Sequence, residues 1–473
     1  MASDHRLIGL LNKIKETSHG SILEDILQVV HHEAERRLIE AAHDPQRPNY
    51  HFLPPPSWIN DPIPYFYAGH YHVFSQYHPG VPYWGNMHWN HVVSEDLVHW
   101  KNLSMALFPT WGGPDSQGCW SGSVVEHEGL FYAFYTGVYP QQQCLAVSKD
   151  LINWEKHPHN PVVSFLQKPP DVGDTFRDPC VWKEKDGWYM LVGSTKPNLG
   201  GSPLLFRSSD LLKWEYLHPI YQGPAAGDEC PDFFPLENKH VLISSRHFTK
   251  WAVGEFSNLK FEVERAGLVD HGAFYAANSL LDSFGRRIIF GWIREERPIE
   301  AQLTAGWSGV LSLPRVLSLF PNDKLRIEPV PELKVLRNKR LVKDSFELTG
   351  FFENVGLRQI EIPEANSIEI EIEFSNLSAR EWGLVLPGGE DILYNVEQGR
   401  FMLEDYPLDD RKEFKIHIFV DNSVVEVFAN DDFCKTVRVY RDLEAYDEPL
   451  RVICVDGKVR VKNLEAWSMG SIY

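Results

Sequence analysis

The chain repeats one heptapeptide, Ser-x-Asp-Leu-x-x-Trp, at intervals that suit a single small structural unit. The copies occupy residues 94–100, 148–154 and 208–214, and a degenerate copy begins at Ser257. Strand-like sequence fills the space between the copies. Self-similarity with a period of about 50 residues is typical of a radial β repeat in which each unit is one four-stranded blade. The repeat therefore predicts a β-propeller.

The rest of the chain predicts further parts around this propeller. A length of 473 residues exceeds what one hydrophobic core usually serves. Short aromatic and β-branched runs separated by Gly, Pro and Asp fill residues 46–325, which accommodates five blades. Alternating strands in residues 326–473 indicate a linker and a C-terminal β-sandwich, and helical spacing in residues 1–45 indicates a short helical extension. The predicted fold class is all-β.

Composition excludes several classes of function. A net charge of −19 argues against nucleic acid, because phosphate binding requires a basic surface. The start of the chain lacks the pattern of a signal peptide, and no apolar run approaches the roughly 20 residues needed to cross a membrane. The six cysteines are scattered, which is typical of reduced thiols. We therefore expect a cytoplasmic protein that acts on an uncharged small molecule.

Three carboxylates stand at comparable distances upstream of the repeat copies. Asp61 precedes Ser94, Asp178 precedes Ser208, and Glu229 precedes Ser257 by about 30 residues each. Comparable offsets predict equivalent positions at the start of a blade, beside the central channel. The prolines that follow both aspartates favour an extended backbone there. The sequence thus predicts that the three carboxylates converge on one funnel.

Converging carboxylates in an aromatic pocket suggest either metal binding or glycoside hydrolysis. A retaining glycosidase needs one ionised carboxylate as nucleophile and one protonated acid roughly 5–5.5 Å away. Arg177 is expected to keep the adjacent Asp178 ionised, and the charge of Asp228 is expected to keep Glu229 protonated. Both states suit general acid catalysis.

Metal binding has weaker support in the sequence. His70 with His72, and His88 with His91, have spacings that metal ligands use, but such pairs are more often structural. The chain contains no HExxH, Walker loop or dinucleotide-binding glycine pattern. We therefore expect no cofactor and no metal, and activity that survives a chelator.

Six short motifs follow one another along the chain, at residues 51–62, 84–89, 120–123, 176–179, 229–233, and 306–309 with 313–315. In this order they resemble glycoside hydrolase family 32, which contains invertases, inulinases, levanases and sucrose-6-phosphate hydrolases. The resemblance extends over about residues 45–473. A late stretch, residues 419–428, is similar to the sandwich domain of that family.

The resemblance implies a five-bladed propeller, a β-sandwich and retaining cleavage of terminal β-fructofuranosides such as sucrose and short fructooligosaccharides. By motif, Asp61 would be the nucleophile and Glu229 the acid and base. Asp178 would bind fructose hydroxyls and stabilise the transition state. The positions expected to line the fructose pocket are Asn60, Gln76, Trp84, Trp120, Ser121, Arg177, Tyr275 and Trp307.

Two departures from the family pattern concern the substrate. Ile63-Pro64 replaces the usual Asn-Gly after the nucleophile, and Ser75-Gln76-Tyr77 replaces Tyr-Gln-Tyr. A β-branched residue and a proline allow fewer backbone conformations than Asn-Gly. The first strand is therefore expected to leave the funnel differently.

Several other activities remain open at this point. A transfructosylase of the same fold would form fructooligosaccharides or fructose anhydrides, and another five-bladed glycosidase would cleave arabinosides or xylosides. A carbohydrate-binding propeller without catalysis is a third alternative, although it has no need for three converging charges. The helical extension or the sandwich is expected to support a homo-oligomer.

Overall fold

The computed structural model describes residues 44–54, 57–351, 354–363, 365–408, 413–441 and 448–473. Five antiparallel sheets follow one another between residues 57 and 329, and each consists of four main strands. Two larger sheets follow. This arrangement confirms the all-β class, with five blades ahead of a sandwich. The helical extension predicted for residues 1–45 lies almost wholly outside the described residues.

The strands of each blade follow the chain from the channel outward. The first blade consists of β1 Ser57–Tyr67, β2 His70–Pro79, β3 His88–Ser94 and β4 Lys101–Asn102. The second consists of β5 Cys119–His127, β6 Leu130–Gly137, β7 Gln142–Ser148 and β8 Trp154–Lys156. The third consists of β9 Arg177–Glu184, β10 Gly187–Gly193, β13 Leu204–Ser208 and β14 Glu215–Pro219, and a small hairpin, β11 Thr195–Lys196 and β12 Gly200–Gly201, lies between its second and third strands along the chain. The last two consist of β15 Glu229–Leu236, β16 Lys239–Arg246, β17 Phe248–Ser257 and β18 Lys260–Leu268; and β19 Phe274–Leu281, β20 Arg287–Ile293, β22 Arg315–Leu319 and β23 Leu325–Pro329, with the short strand β21 Val310–Leu311 beside β20.

The repeated heptapeptide forms the turn between the third and fourth strands of a blade. In the second copy, Asp150 accepts hydrogen bonds from the backbone N–H groups of Ile152 (2.9 Å) and Asn153 (2.7 Å). Leu151 lies at a φ of 63° and is buried. Trp154 then donates its indole N–H to the Leu151 carbonyl at 2.8 Å. The repeat is thus a structural turn that inserts a leucine between blades.

The sandwich consists of two six-stranded sheets that enclose an apolar core of their own. One sheet contains β24 Arg337–Gly350, β26 Ser367–Asn376, β31 Phe414–Asp421, β32 Val424–Ala429, β33 Phe433–Arg438 and β35 Gly457–Met469. The other contains β25 Gly356–Ile360, β27 Glu381–Val385, β28 Asp391–Asn395, β29 Arg400–Phe401, β30 Glu404–Asp405 and β34 Leu450–Val455.

Helices are few in the described ranges: a 3-10 helix Phe165–Gln167, an α-helix Ile299–Ala305 and a 3-10 helix Pro331–Leu336. None of them has the length and apolar character of a transmembrane segment.

A buried charge network joins the propeller to the sandwich. Arg315 donates to Asp270 at 3.0 Å and to Glu426 at 2.6 Å. The ring of His51 lies between Glu426 (3.1 Å from Nε2) and Asp421 (2.8 Å from Nδ1). All five side chains are fully buried. Because an unpaired buried charge is costly, this network fixes how the two domains meet.

The division between the domains differs slightly from the predicted one. The predicted boundary between residues 325 and 326 cuts the last strand of the propeller, which ends at Pro329. The sandwich begins with β24 at Arg337. The segment between them is the short helix Pro331–Leu336, whose Leu333 and Leu336 are buried.

Candidate active site

Every first strand of the propeller carries a β-bulge near its start. In the first blade the register shifts between Asn60 and Pro62, and in the third blade a shift occurs opposite Arg177. The bulged residues Asp61 and Asp178 have φ values of 38° and 61°. The extended backbone predicted from the Asp-Pro pairs is therefore wrong. A bulge bends the strand and redirects a side chain, and bulges are common beside active sites.

The bulges also correct the predicted equivalence of the three carboxylates. In the fourth blade Glu229 pairs with Ser245, just as Asn60 pairs with Gln76 in the first blade. The residue equivalent to Asp61 is thus Cys230, which has a φ of 46°. Glu229 stands one position ahead of the bulge. The distance from the repeat therefore located the first strand of the fourth blade correctly, but it predicted the position of Glu229 relative to the bulge wrongly by one residue.

Asp61 is buried near the start of β1 and is surrounded by hydrogen-bond donors. Its Oδ2 accepts hydrogen bonds from the Ser121 hydroxyl (2.7 Å) and the Gln76 amide (2.6 Å), and Oδ1 accepts one from Asn60 (3.1 Å). Burial, together with the charge of Asp178, raises the pKa of Asp61 to about 7, although the hydrogen bonds act to lower it. The carboxyl therefore titrates close to neutral pH.

Asp178 faces Asp61 across a shared thiol. The Sγ of Cys230 is 3.6 Å from Asp178 Oδ2 and 3.7 Å from Asp61 Oδ2, and the backbone N–H of Cys230 donates to Asp178 Oδ2 at 3.0 Å. Burial raises the pKa of Asp178 to about 6, and the positive charge of Arg177 offsets this only in part. Arg177 lowers this pKa as predicted, but desolvation of the buried carboxyl outweighs its effect, so the pKa of Asp178 is raised and not lowered.

Glu229 binds Arg177 more closely than Asp178 does. Arg177 Nη2 donates to Glu229 Oε1 at 2.5 Å, whereas Arg177 Nε is 3.8 Å from Asp178 Oδ2. The Tyr275 hydroxyl donates to the other oxygen, Oε2. Asp228, which was expected to act on Glu229, instead accepts a hydrogen bond from Thr175 at 3.0 Å. The side chain of Glu229 is 30% exposed, so it remains accessible from the funnel.

The predicted pocket residues of the first two blades lie together beside Asp61. Gln76 also donates to Ser121 at 2.7 Å. The ring of Trp120 makes an edge contact with Trp84 at 5.5 Å, and Trp84 is 46% exposed. Three buried polar atoms of this wall have no hydrogen-bond partner among the described residues: Asn60 Oδ1, Gln76 Oε1 and Trp120 Nε1. Their grouping suits a ligand that carries several hydroxyl groups.

Trp307 does not belong to this group, so its predicted place in the pocket is wrong. Its side chain is completely buried, and its indole N–H donates to Asp44 at 2.8 Å. The guanidinium groups of Arg297 and Arg438 lie 4.1 and 5.4 Å from its ring. Arg438 belongs to the sandwich strand β33, so Trp307 packs where the two domains meet.

Two residues that support the carboxylates were missed in the sequence. Cys230 separates Asp61 from Asp178, as described above. The hydroxyl of Thr136, at the end of β6, accepts the backbone N–H of Asp178 (2.8 Å) and donates to Gln143 (2.9 Å). Thr136 and Gln143 are completely buried. The position of Cys230 next to Glu229 is the only feature of the sequence that could have indicated its role. Thr136 could not be recognised, because a contact between two blades leaves no local pattern in the sequence.

The histidines considered as metal ligands have other contacts. His72 Nδ1 lies 3.0 Å from His91 Nε2, and His88 Nδ1 faces the carbonyl of Asn86 at 2.8 Å. Within the described ranges, one group has the spacing of metal ligands, and it lies on the sandwich: Glu369, Glu371 and His417. Arg337 donates to both of these carboxylates. Ion pairing therefore already satisfies that group.

Comparisons with known proteins show which family the chain belongs to. Residues 51–329 match the glycosyl hydrolases family 32 N-terminal domain, and residues 332–468 match the family 32 C-terminal domain. The chain belongs to glycoside hydrolase family 32. This membership confirms the resemblance seen in the sequence and makes the chain a glycoside hydrolase.

Relatives of this family 32 enzyme match it over most of their length. It is 31% identical to sucrose-6-phosphate hydrolase of Escherichia coli, over 89% of this chain and 95% of that protein. It is 32% identical to raffinose invertase of Escherichia coli, over 87% and 94%. The crystal structure of fructan 1-exohydrolase IIa from Cichorium intybus superimposes with a TM-score of 0.80 at 27% identity, covering 90% of this chain and 98% of that one. A variant of the same plant enzyme was crystallised in complex with 1-kestose.

Proposed function

We propose that this family 32 enzyme hydrolyses terminal β-D-fructofuranosyl linkages in sucrose and short fructooligosaccharides with retention of configuration. The main support is the convergence of Asp61, Asp178 and Glu229 from three different blades. Cys230 contacts both aspartates, and Arg177 contacts Asp178 and Glu229. Sugar substrates of this family suit the uncharged, hydroxyl-binding wall formed by the first two blades.

The first chemical step would transfer the fructosyl unit to the enzyme. The ionised Asp61 forms a bond to C2 of the fructosyl ring while the bond from C2 to the bridging oxygen breaks, and Glu229 donates its proton to that oxygen. Asp178 would bind fructose hydroxyls beside the positive charge that develops on the ring. Glu229 suits the role of acid because it is the more exposed carboxylate, on the side from which a leaving group departs.

The second step would release fructose. Glu229 now accepts a proton from water, the water oxygen forms the new bond to C2, and the Asp61 ester breaks. Arg177 and Tyr275 both donate to Glu229, which suits the ionised form that activates water. Two inversions at C2 give net retention.

The test is the release of reducing sugar from sucrose by the wild type and by Asp61→Ala. We expect the variant to lose activity by a factor of about 10⁴ or more, because it has no nucleophile. Asp150→Ala, in a surface turn far from the funnel, is the matched control. Comparable rates from wild type and Asp61→Ala would contradict the proposal.

We also propose where the protein is located and predict its oligomeric state. A cytoplasmic location is supported by the six cysteines, all of which are buried free thiols. A homo-oligomer formed through the helical extension or the sandwich remains a prediction, and sedimentation equilibrium of the full chain measures it directly.

A further inference from the structure

Side chains of the second blade hold the backbone that carries Asp178 in the third blade. Asp178 lies in the bulge at a φ of 61°, so it has no partner in the pairing between β9 and β10. The Thr136 hydroxyl accepts its backbone N–H at 2.8 Å, and both residues are buried. A buried N–H without a partner is costly, and a left-handed backbone is strained for a residue other than glycine. The contact with Thr136 therefore stabilises this conformation of Asp178.

Gln143 continues the chain of hydrogen bonds within the second blade. Thr136 donates its hydroxyl proton to Gln143 Oε1 at 2.9 Å, and Gln143 Nε2 donates to the carbonyl of Phe176 at 2.9 Å. Thr136, Gln143 and Phe176 are completely buried. Gln141 Oε1 accepts the backbone N–H of Phe176 at 2.8 Å and a hydrogen bond from Arg177 Nη1 at 3.4 Å. Side chains of the second blade thus contact three consecutive residues, 176–178.

The other end of the chain of hydrogen bonds reaches the fourth blade. Asp178 Oδ2 accepts the backbone N–H of Cys230, the bulged residue of that blade, at 3.0 Å. A similar hydroxyl contact occurs between the fourth and fifth blades, where Ser245 Oγ accepts the backbone N–H of Ala276 at 3.0 Å. Ala276 also lies in a bulge, at a φ of 49°. Hydroxyl groups from a neighbouring blade therefore fix bulged residues in two first strands, and at Asp178 the bulged residue is a proposed catalytic carboxylate.

We infer that Thr136 and Gln143 are positioning residues, which hold Asp178 where its carboxylate binds the fructosyl unit and stabilises the transition state. The inference rests on the proposed function, since it gives Asp178 that role. Neither side chain is exposed, so both act through Asp178 and not on the substrate itself. Electrostatic stabilisation depends on a charge that is in place before the reaction starts, and a displacement of about 1 Å can lower a rate about 100-fold.

The experiment measures kcat for sucrose in Thr136→Val, which keeps the shape of the side chain and removes its hydroxyl. We expect kcat to fall about tenfold to hundredfold. Thr136→Ser retains the hydroxyl and should restore most of the lost rate. Thr436→Val is the matched control, because Thr436 is also completely buried, donates to Asp270 (2.7 Å) and accepts from Arg315 (2.8 Å). It should lower stability and leave kcat unchanged.

A double-mutant cycle separates the positioning of Asp178 from a general loss of structure. Asp178→Asn removes the charge and keeps a residue that tolerates a left-handed backbone. If Thr136 acts through Asp178, adding Thr136→Val to Asp178→Asn should lower kcat by less than about threefold. An equal factor in both backgrounds, or a wild-type kcat in Thr136→Val, would overturn the inference and leave the proposed function intact. A wild-type kcat in Asp178→Asn would overturn both.

Gln143→Met provides a second variant should Thr136→Val not fold. It removes the acceptor for the Thr136 hydroxyl and the donor to the Phe176 carbonyl, and it keeps an unbranched side chain. We expect kcat to fall, again with little further effect in Asp178→Asn. Urea denaturation of each variant establishes that kcat is measured on folded protein. A folded Gln143→Met variant with the wild-type kcat would overturn the inference.

Discussion

Asp61, the proposed nucleophile, must lose a proton before it can attack, and its surroundings oppose that loss. The pKa of about 7 follows from burial and from the neighbouring Asp178, whose own pKa is raised to about 6. Two coupled carboxyls titrate as a pair. Because the attacking form is the ionised one, activity should rise as pH increases through this range.

The pH profile of kcat/KM provides a prediction for single residues. The acidic limb should lie near pH 6 to 7 in the wild type. Ser121 donates a hydrogen bond that lowers the pKa of Asp61, so Ser121→Ala should move this limb to higher pH. The measurement is kcat/KM for sucrose from pH 4 to pH 8. A limb that stays in place or moves to lower pH would contradict the assignment of Asp61 as the titrating nucleophile.

At the scale of residues, the sequence predicted which carboxylates come together better than it predicted their backbone conformation and their pKa values. Asp61, Asp178 and Glu229, which the structure brings together, could be singled out because each lies in a short motif of its own. The backbone of Asp61 and Asp178 was mispredicted, because the influence of proline is local whereas the bulge depends on pairing with the second strand. The raised pKa of Asp178 was missed for a similar reason, since the depth of burial is set by residues from other blades.

At the scale of elements, a bulge shapes the first strand of every blade, and the full heptapeptide turn is found in the first three blades. The heptapeptide turn closes the outer half of the blade, and the bulge directs side chains of the inner strand. The repeat revealed the propeller because its turn needs particular residues, an Asp that accepts backbone hydrogen bonds and a Leu that is buried. The number of five blades followed from the length of the region. The bulge has no such sequence requirement, so the register of Glu229 was wrong by one residue. Ile63 and Pro64 continue β1 in regular pairing with β2, and Ile63 is buried between the first two blades.

Removing one turn tests the structural role of the repeat. Asp150→Ala loses two hydrogen bonds to backbone N–H groups, so the free energy of unfolding should fall by about 1 kcal/mol, with sucrose hydrolysis retained. Urea denaturation measures the change. The exposed neighbouring substitution Lys149→Ala is the control. Loss of activity without loss of stability would show that the repeat has a role beyond the turn.

At the scale of the whole molecule, the order of propeller and sandwich was correct, and the contact between them was not foreseen. Trp307 was assigned to the pocket from its motif, yet it packs against Arg297 and Arg438 at the domain interface. Interface contacts join segments more than a hundred residues apart, so spacing in the sequence does not reveal them. The buried network around His51 and Arg315 belongs to the same interface.

The interface should make stability depend on pH. Burial acts to lower the pKa of His51, but hydrogen bonds to Asp421 and Glu426 outweigh it and raise the pKa. The stabilisation is therefore fully present below about pH 6.5, the unfolded value, and is lost as pH rises through the folded pKa. His51→Gln should lower the free energy of unfolding by about 3 kcal/mol at pH 6 and by less at pH 9.

Chemical denaturation at several pH values checks this expectation. The exposed His159→Gln is the control, and its effect should be small at every pH. A deficit for His51→Gln that stays constant or grows between pH 6 and pH 9 would contradict a protonated His51 at the domain interface.

The proposed mechanism requires a covalent bond between Asp61 and the fructosyl ring that forms and is then hydrolysed. NMR of the sucrose reaction in its first minutes, before the released fructose equilibrates, distinguishes this mechanism from direct attack by water. We expect β-fructofuranose to appear first, because two inversions at C2 restore the original configuration. If α-fructofuranose appeared first, water would have attacked C2 directly, and Asp61 would not be the nucleophile.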